Sequence, residues 1–200
     1  KDHFDLDRIV KSPAKFDRAK LLAFNLDAIQ AMDEDSFVDR VRAFCEAYEP
    51  KFLESMSSAQ FRTFALANKD RSKTLLDPVQ SGQFFIEADD AITWPVSKPI
   101  RKALCKGSPS GFDRLQQVRD VLASLETWSL SHIEAALNDW AESHCDGNLG
   151  KIAQPIRVAV SGGPVSPPIF DTLDILGQQA TITRIDRCLA IRDQFEEAPA

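Results

Sequence analysis

Between Gly150 and Gly177 the chain reads GKIAQPIRVAVSGGPVSPPIFDTLDILG, which sets Arg157, a Ser-Gly-Gly-Pro connection and a Ser-Pro-Pro corner close together. Glycine lets a backbone come close to a flat ligand. The Ser166 hydroxyl and the Arg157 guanidinium add hydrogen-bonding groups beside it. Unstacked bases of single-stranded RNA are read by such surfaces. A plainer reading stays open on these residues alone, with Gly162 ending one helix, Ser166 capping the next and Arg157 a solvated base.

Covalent and acid–base chemistry lacks its residues. His3, His132 and His144 are scattered, with no serine, cysteine or carboxylate partner in a catalytic order. Cys45, Cys105, Cys145 and Cys188 lie far apart without CxxC or His-Cys spacing, so buried free thiols are expected and no metal site. Neither a GxxxxGK[ST] loop nor a GxGxxG turn is present to hold a nucleotide.

The elements that must position Arg157 and Ser166 read as helices nearly throughout. After SPAKFD, Asp17 can cap a helix with Leu21, Leu22, Phe24, Leu26 and Ile29 as its apolar stripe. Phe37, Val38, Val41, Phe44, Cys45 and Tyr48 recur at helical spacing, and Pro50 closes that run. Phe61, Phe64, Ala65 and Leu66 begin another, and KDRSKTLLDPVQSGQFFI must stop or bend near Pro78 and Gly82. Later helices carry Phe112, Leu115, Val118 and Leu122, then Ile133, Leu137 and Trp140, then Ile182, Ile185, Leu189 and Ile191. Ser129 or Ser131 caps the second of these, and Ser131 with Glu134 fits a capping box. Ser166 followed by Pro167 fits an N-cap with proline in the first turn, and Gly177 fits a left-handed helix end. Trp94, Trp128 and Trp140 sit beside apolar helical positions, so core packing is expected of them before base stacking. Strands, repeats and low-complexity tracts are absent from this reading.

Two hundred residues, 44% of them hydrophobic, allow one large or two small cores. The prolines and glycines of Trp94 to Gly111 make that stretch the junction, with the boundary near Ser108, so the fold class is all-α with two helical-bundle subdomains. No apolar run approaches the roughly 18 residues of a membrane span. The N-terminus lacks a signal-peptide pattern. A cytoplasmic location is expected, and the start at Lys1 suggests a fragment of a longer protein. The formal net charge of −6 weighs against a nucleic-acid partner. Distribution can override that total, since Gln60 to Ser110 holds eight Lys or Arg against five acids, and Gly150 to Phe170 holds Lys151 and Arg157 with no acid.

The order K-x-AQP-x-R-x-A-x-x-GG-x-VSPP-x-F-x-x-L-x-x-LG resembles the C-terminal anticodon-binding domain of bacterial-type glutamyl-tRNA synthetases. FDLDRIVKSPAKFDRAKLLAFN, from Phe4 to Asn25, resembles the stem-contact region of the same family, and KDRSKTLLDPVQSGQFFI and WPVSKPIRKAL follow in the family's order. The resemblance implies a stem-contact segment at 1–30 and anticodon-binding helical subdomains at 31–108 and 109–200. It implies that Arg157, Ser166, Pro167 and Ile169 read the anticodon of tRNA-Glu. Arg71 falls where the family uses an arginine to separate glutamate from glutamine tRNAs, so tRNA-Gln is a further candidate partner. Lys69 and Lys73 beside it suit phosphate oxygens. Phe24 replaces a common tryptophan, and NLDAIQ lacks the usual tyrosine-isoleucine pair, which alters the stem-contact surface. The HIGH and KMSKS motifs, with which the family's ATP- and Mg-dependent glutamate–tRNA ligase activity is associated, do not occur. A monomeric tRNA-binding chain, inactive alone and without its own cofactor, is therefore expected. The alternative is a synthetase-like paralogue that serves as a helical protein-interaction module.

Overall fold

The computed structural model describes residues 16–196, so the expectations placed on Phe4 to Lys15, including the break at Pro13, and on His3 lie outside the described residues. Among the described residues the chain is all-α. Its helices run α1 (Arg18–Ala31), α2 (Glu34–Tyr48), α3 (Lys51–Ser55), α4 (Ser58–Leu66), α5 (Leu76–Ser81), α6 (Lys98–Cys105), α7 (Gly111–Ala123), α8 (Leu130–Cys145), α9 (Gly150–Ser161), α10 (Ile169–Ala190) and α11 (Arg192–Glu196). Short 3-10 turns at Lys69–Arg71 and Gln83–Ile86 link the early helices. None of these helices is long and apolar enough to cross a membrane.

Local sequence explains most boundaries. The Asp17 carboxylate accepts from the Ala19 and Lys20 amides and starts α1. Ser57 and Gln60 form a capping box at α4, and Ser110 and Asp113 form another at α7. Such caps satisfy amides that a helix start leaves open, for about 1 kcal/mol each. Pro78 does not break α5. It occupies the first turn, where its missing N–H is not required, and Gly82 ends the helix.

Buried side chains form two apolar clusters. Phe37, Val41, Cys45, Phe52, Phe61 and Phe64 centre the first, with the Phe52 and Phe64 rings stacked 5.0 Å apart. The second is built on α6 to α11, around Leu104, Leu115, Ile133, Ile156, Leu173 and Phe195. Packing changes from one cluster to the other at Phe84 to Ile86, ahead of the Ser108 junction read from composition. Ile92, Trp94, Ile100 and Leu104 already belong to the second cluster. Proline and glycine mark where the backbone turns, and the apolar side chains between them decide which core a segment joins.

Polar contacts fix α10 to the segment 84–92, where packing passes from the first cluster to the second. Arg184 of α10 is only 2% exposed. It donates to the Asp89 carboxylate at 2.6 Å and to the carbonyls of Phe84, Val160 and Glu87 at 2.9–3.0 Å. Arg187, one turn on, donates to the carbonyls of Asp89, Asp90 and Ile92 and lies over the Trp94 ring. The Gln60 amide reaches the Ile175 carbonyl, and Ile175 itself belongs to the first cluster. Trp94 and Trp140 are buried, and Trp128 is half-buried against the second cluster; the Trp94 and Trp128 indole N–H groups donate to the carbonyls of Val158 and Leu173.

Three local expectations are corrected. Only Ile29 of the α1 stripe is buried, whereas Leu21, Leu22 and Phe24 are exposed, because α1 packs through its last turns against the Lys69–Arg71 turn. The Ser131–Glu134 capping box does not form. Ser129 holds the N-cap position of α8 without a side-chain cap, and its hydroxyl pairs instead with Ser131 and His132. Ser166 is not an N-cap either. Pro167 and Pro168 cannot donate amides, and a residue before proline favours extended backbone, so α10 starts at Ile169 with Pro168 as its N-cap.

Candidate functional site

The displaced helix start leaves the Ser166 hydroxyl available to the preceding helix. Arg157, on α9, donates from Nε to Ser166 Oγ at 3.0 Å and from Nη1 to Gln154 Oε1 at 2.8 Å. Ser166 Oγ in turn donates to the Pro167 carbonyl, and Thr172 Oγ1 secures the Pro167 and Pro168 carbonyls from α10. Gly162 ends α9 with φ 74°, and a Cβ there would meet the Thr93 carbonyl oxygen at 2.7 Å, so the corner requires glycine. Pro155 lies inside α9 and removes one amide from its ladder.

Arg71 arrives from the other side. It ends the Lys69–Arg71 turn, is exposed, and lines a cleft of about 230 Å³ with Asn68, Ser72, Asp77, Ser81, Val165 and Ser166. The fold thus brings Arg71 to the Arg157–Ser166 corner. Half-burial holds the Arg157 guanidinium below its usual pKa, and the positive charge of Arg71 adds to that effect. Two like charges held this close favour an anionic or electron-rich ligand between them.

The structure redistributes the other expected residues. Pro167 and Ile169 are buried, with Ile169 in the second cluster, so their side chains support the corner from beneath. Pro164, Val165 and Pro168 are the exposed apolar residues there, and Val165 is 75% exposed. Lys69 does not stand free in solvent: its ammonium donates to the Gln30 carbonyl at 2.9 Å while the Gln30 amide donates to the Asp70 carbonyl. That exchange docks α1 on the turn. Lys73 is exposed, and its backbone amide donates to the Asp77 carboxylate.

Asn68 was not singled out from sequence. It is 7% exposed, its side-chain amide nitrogen has no hydrogen-bond partner among the described residues, and it lines the same cleft as Arg71 and Ser166. A buried donor left unpaired costs about 1–3 kcal/mol, which a ligand acceptor can recover. No sequence signal marks it, since ANKD reads as an ordinary helix exit.

The four cysteines are free thiols. Cys45, Cys145 and Cys188 are buried and Cys105 is half-buried. Burial pushes the Cys45 thiol up to about 11 and that of Cys188 to about 12, so neither is an activated nucleophile.

Comparison with known proteins places this geometry in context. Residues 36–189 match the family described as anticodon binding domain. The chain is 37% identical over 186 residues to glutamate–tRNA ligase 1 of Alkalilimnicola ehrlichii, covering 93% of this chain and 37% of that protein. It is 34% identical over 188 residues to the glutamate–tRNA ligase of Bradyrhizobium diazoefficiens, covering 91% of this chain and 38% of that one. The crystal structure of a glutamate tRNA ligase from Elizabethkingia meningosepticum matches the fold with a TM-score of 0.71 at 21% identity, over 94% of this chain and 35% of that chain. The chain therefore spans well under half the length of the relatives it matches.

Proposed function

This chain belongs to the anticodon binding domain family, and on that premise we propose that it binds the anticodon of tRNA-Glu in the cleft between Arg71 and Arg157, as a monomeric cytoplasmic chain. The observation that carries the proposal is the convergence of Arg71, the unpartnered Asn68 amide and Ser166 on one cleft, with Arg157 hydrogen-bonded to the Ser166 that lines it. Arg157 and Asn68 supply hydrogen bonds to base edges, Val165 offers an exposed apolar surface, and Pro167 and Ile169 hold the corner rigid. Lys73, with the remaining donors of Lys69, meets phosphate oxygens. Whether tRNA-Gln is accepted as well is decided at Arg71.

Binding here serves specificity. Ligation of glutamate, with its ATP and magnesium, belongs in this proposal to a catalytic region carrying HIGH and KMSKS, motifs that this sequence does not contain. The test is a titration of a tRNA-Glu transcript and of transcripts with each anticodon base changed in turn. Selective loss of affinity at one or more of the three positions is expected, and equal affinity for all of them rules the proposal out.

One observation favours a second reading, a synthetase-like helical module for protein contacts: α1 and its approach leave Phe16 and Phe24 exposed at 74% and 60%. Salt-insensitive capture of a protein partner, without tRNA binding, would support that reading.

A further inference from the structure

We propose that the groove along α6 is a phosphodiester-binding track, taking the backbone of the RNA whose bases occupy the Arg71–Arg157 cleft; this rests on the RNA-binding reading above and adds a site to it. The groove encloses about 700 Å³, with Lys98, Lys102 and Lys106 along it. It shares Lys102 and Lys106 with an adjoining cleft of about 360 Å³, to which Arg114 and Lys151 contribute. Among the described residues no Asp or Glu lines either cavity.

Lys98 and Lys102 are one turn apart on α6, whose sequence KPIRKALC contains no acid to neutralise them. Among the described residues no carboxylate pairs with Lys98, Lys102, Lys106 or Arg114, and the one carboxylate near Lys151 is that of the fully exposed Asp146, at 3.8 Å. In a chain of net charge −6, a cluster of bases kept apart from the abundant acids is held against its own repulsion. A flexible polyanion relieves that repulsion and releases its own condensed counterions.

The adjoining cleft runs up to the base-reading cleft, since Pro164 lines the first and its chain neighbour Val165 lines the second. Gln154, in its wall, donates to the Pro164 carbonyl at 2.9 Å and accepts from Arg157 Nη1 at 2.8 Å, and Arg157 Nε holds Ser166, which lines the cleft. An RNA strand leaving the cleft past Pro164 meets these bases next. This continuity, with the charge, selects an RNA backbone over an acidic peptide. Phosphate contacts of this kind set register and affinity without reading sequence.

The test measures affinity of the 200-residue chain for a tRNA-Glu transcript and its anticodon variants across a potassium chloride series. Lys98→Ala/Lys102→Ala/Lys106→Ala is compared with a control that removes Arg40, Lys51 and Arg62, which are exposed and lie outside both the stem-contact segment and the groove. Far-UV circular dichroism confirms folding, and the single Lys102→Glu variant repeats the test with minimal perturbation. The groove variant should bind every transcript about tenfold or more weakly and flatten the log K against log salt slope by about 2–3, at roughly 0.7–0.9 per lost phosphate contact. The ratio between cognate and altered anticodons should stay as in the parent chain. An unchanged slope, or an equal fall in the control, overturns the track alone. Loss of anticodon selectivity in the parent chain overturns the anticodon reading alone, because the slope is still measurable on any transcript. Failure to bind any transcript overturns both.

Discussion

At the scale of single residues, Arg157 commits two of its donors to protein acceptors and leaves the rest of its guanidinium without one among the described residues. That anchoring fixes the plane of the fork before binding, and a preorganised fork loses less entropy on each hydrogen bond. Arg157→Ala is expected to reduce discrimination between cognate and altered anticodons by about tenfold or more, since a bidentate base contact contributes about 1–3 kcal/mol. Ser166→Ala, which leaves the guanidinium in place with only its Gln154 anchor, should reduce it less. Fluorescence anisotropy with labelled transcripts separates the two. A larger effect from Ser166→Ala would show that the hydroxyl contacts the base and does not merely orient the arginine. Asn68 adds a second check at the same cleft: Asn68→Ala should weaken RNA binding while removing a buried unsatisfied amide from the free chain.

At the scale of elements, the cleft depends on how helices start and stop. α10 is two helical segments joined at Gly177, whose φ of 77° and ψ of 165° suit no L side chain. A Cβ there meets no atom within 4 Å, so Gly177→Ala strains the backbone without a clash. Destabilisation of about 1–3 kcal/mol is expected, read by urea unfolding. The bend also aims Ile175 at the first cluster while Arg184 and Ile185 serve the second.

Helix caps set an acid limit. Hydrogen bonds hold the Asp33 carboxyl below its ordinary value of 3.8, chiefly from the Ser36 amide. The Ser110 side chain and then its backbone do the same for Asp113. For both groups the folded pKa is depressed, so their stabilisation is complete above 3.8 and is lost as pH falls through the folded values. Asp171 acts in the opposite sense: burial raises its pKa, and its protonation on acidification relieves a cost. Thermal melts should show the cap contribution disappearing only below about pH 4, and Ser110→Ala should shrink that acid-sensitive part.

At the scale of the molecule, the two apolar clusters meet at Gln60 and Ile175, and Arg184 pins the second cluster to the segment 84–89 where the first one ends. The three tryptophans, Trp94, Trp128 and Trp140, all pack in or against the second cluster, so indole fluorescence reports that cluster while helical circular dichroism reports both. The buried ties predict coincident denaturant transitions by the two probes. Arg184→Met, which abandons the Asp89 carboxylate and three carbonyls around a buried guanidinium, should destabilise by roughly 3–5 kcal/mol and separate them. Coincident curves in the variant would show that side-chain packing at Phe84 to Ile86 couples the clusters by itself.

The sequence alone determined the helical class, the cap at Asp17, the packing of the tryptophans and the kinship carried by AQPIR and VSPPIF, because periodicity, capping chemistry and contiguous motifs are local. Local rules failed where neighbours compete. Ser166 reads as a cap until two following prolines push the helix start onward, and the α1 stripe reads as buried until its partners are counted. Tertiary structure alone decided that Arg71 meets the Arg157–Ser166 corner, that the Asn68 amide is left unpaired beside them, and that Lys98, Lys102 and Lys106 share a groove with Arg114 and Lys151. These are relations between segments far apart in the chain. Charge and hydrogen bonding act through space, and spacing along a sequence does not report which distant side chains a packed core will bring together.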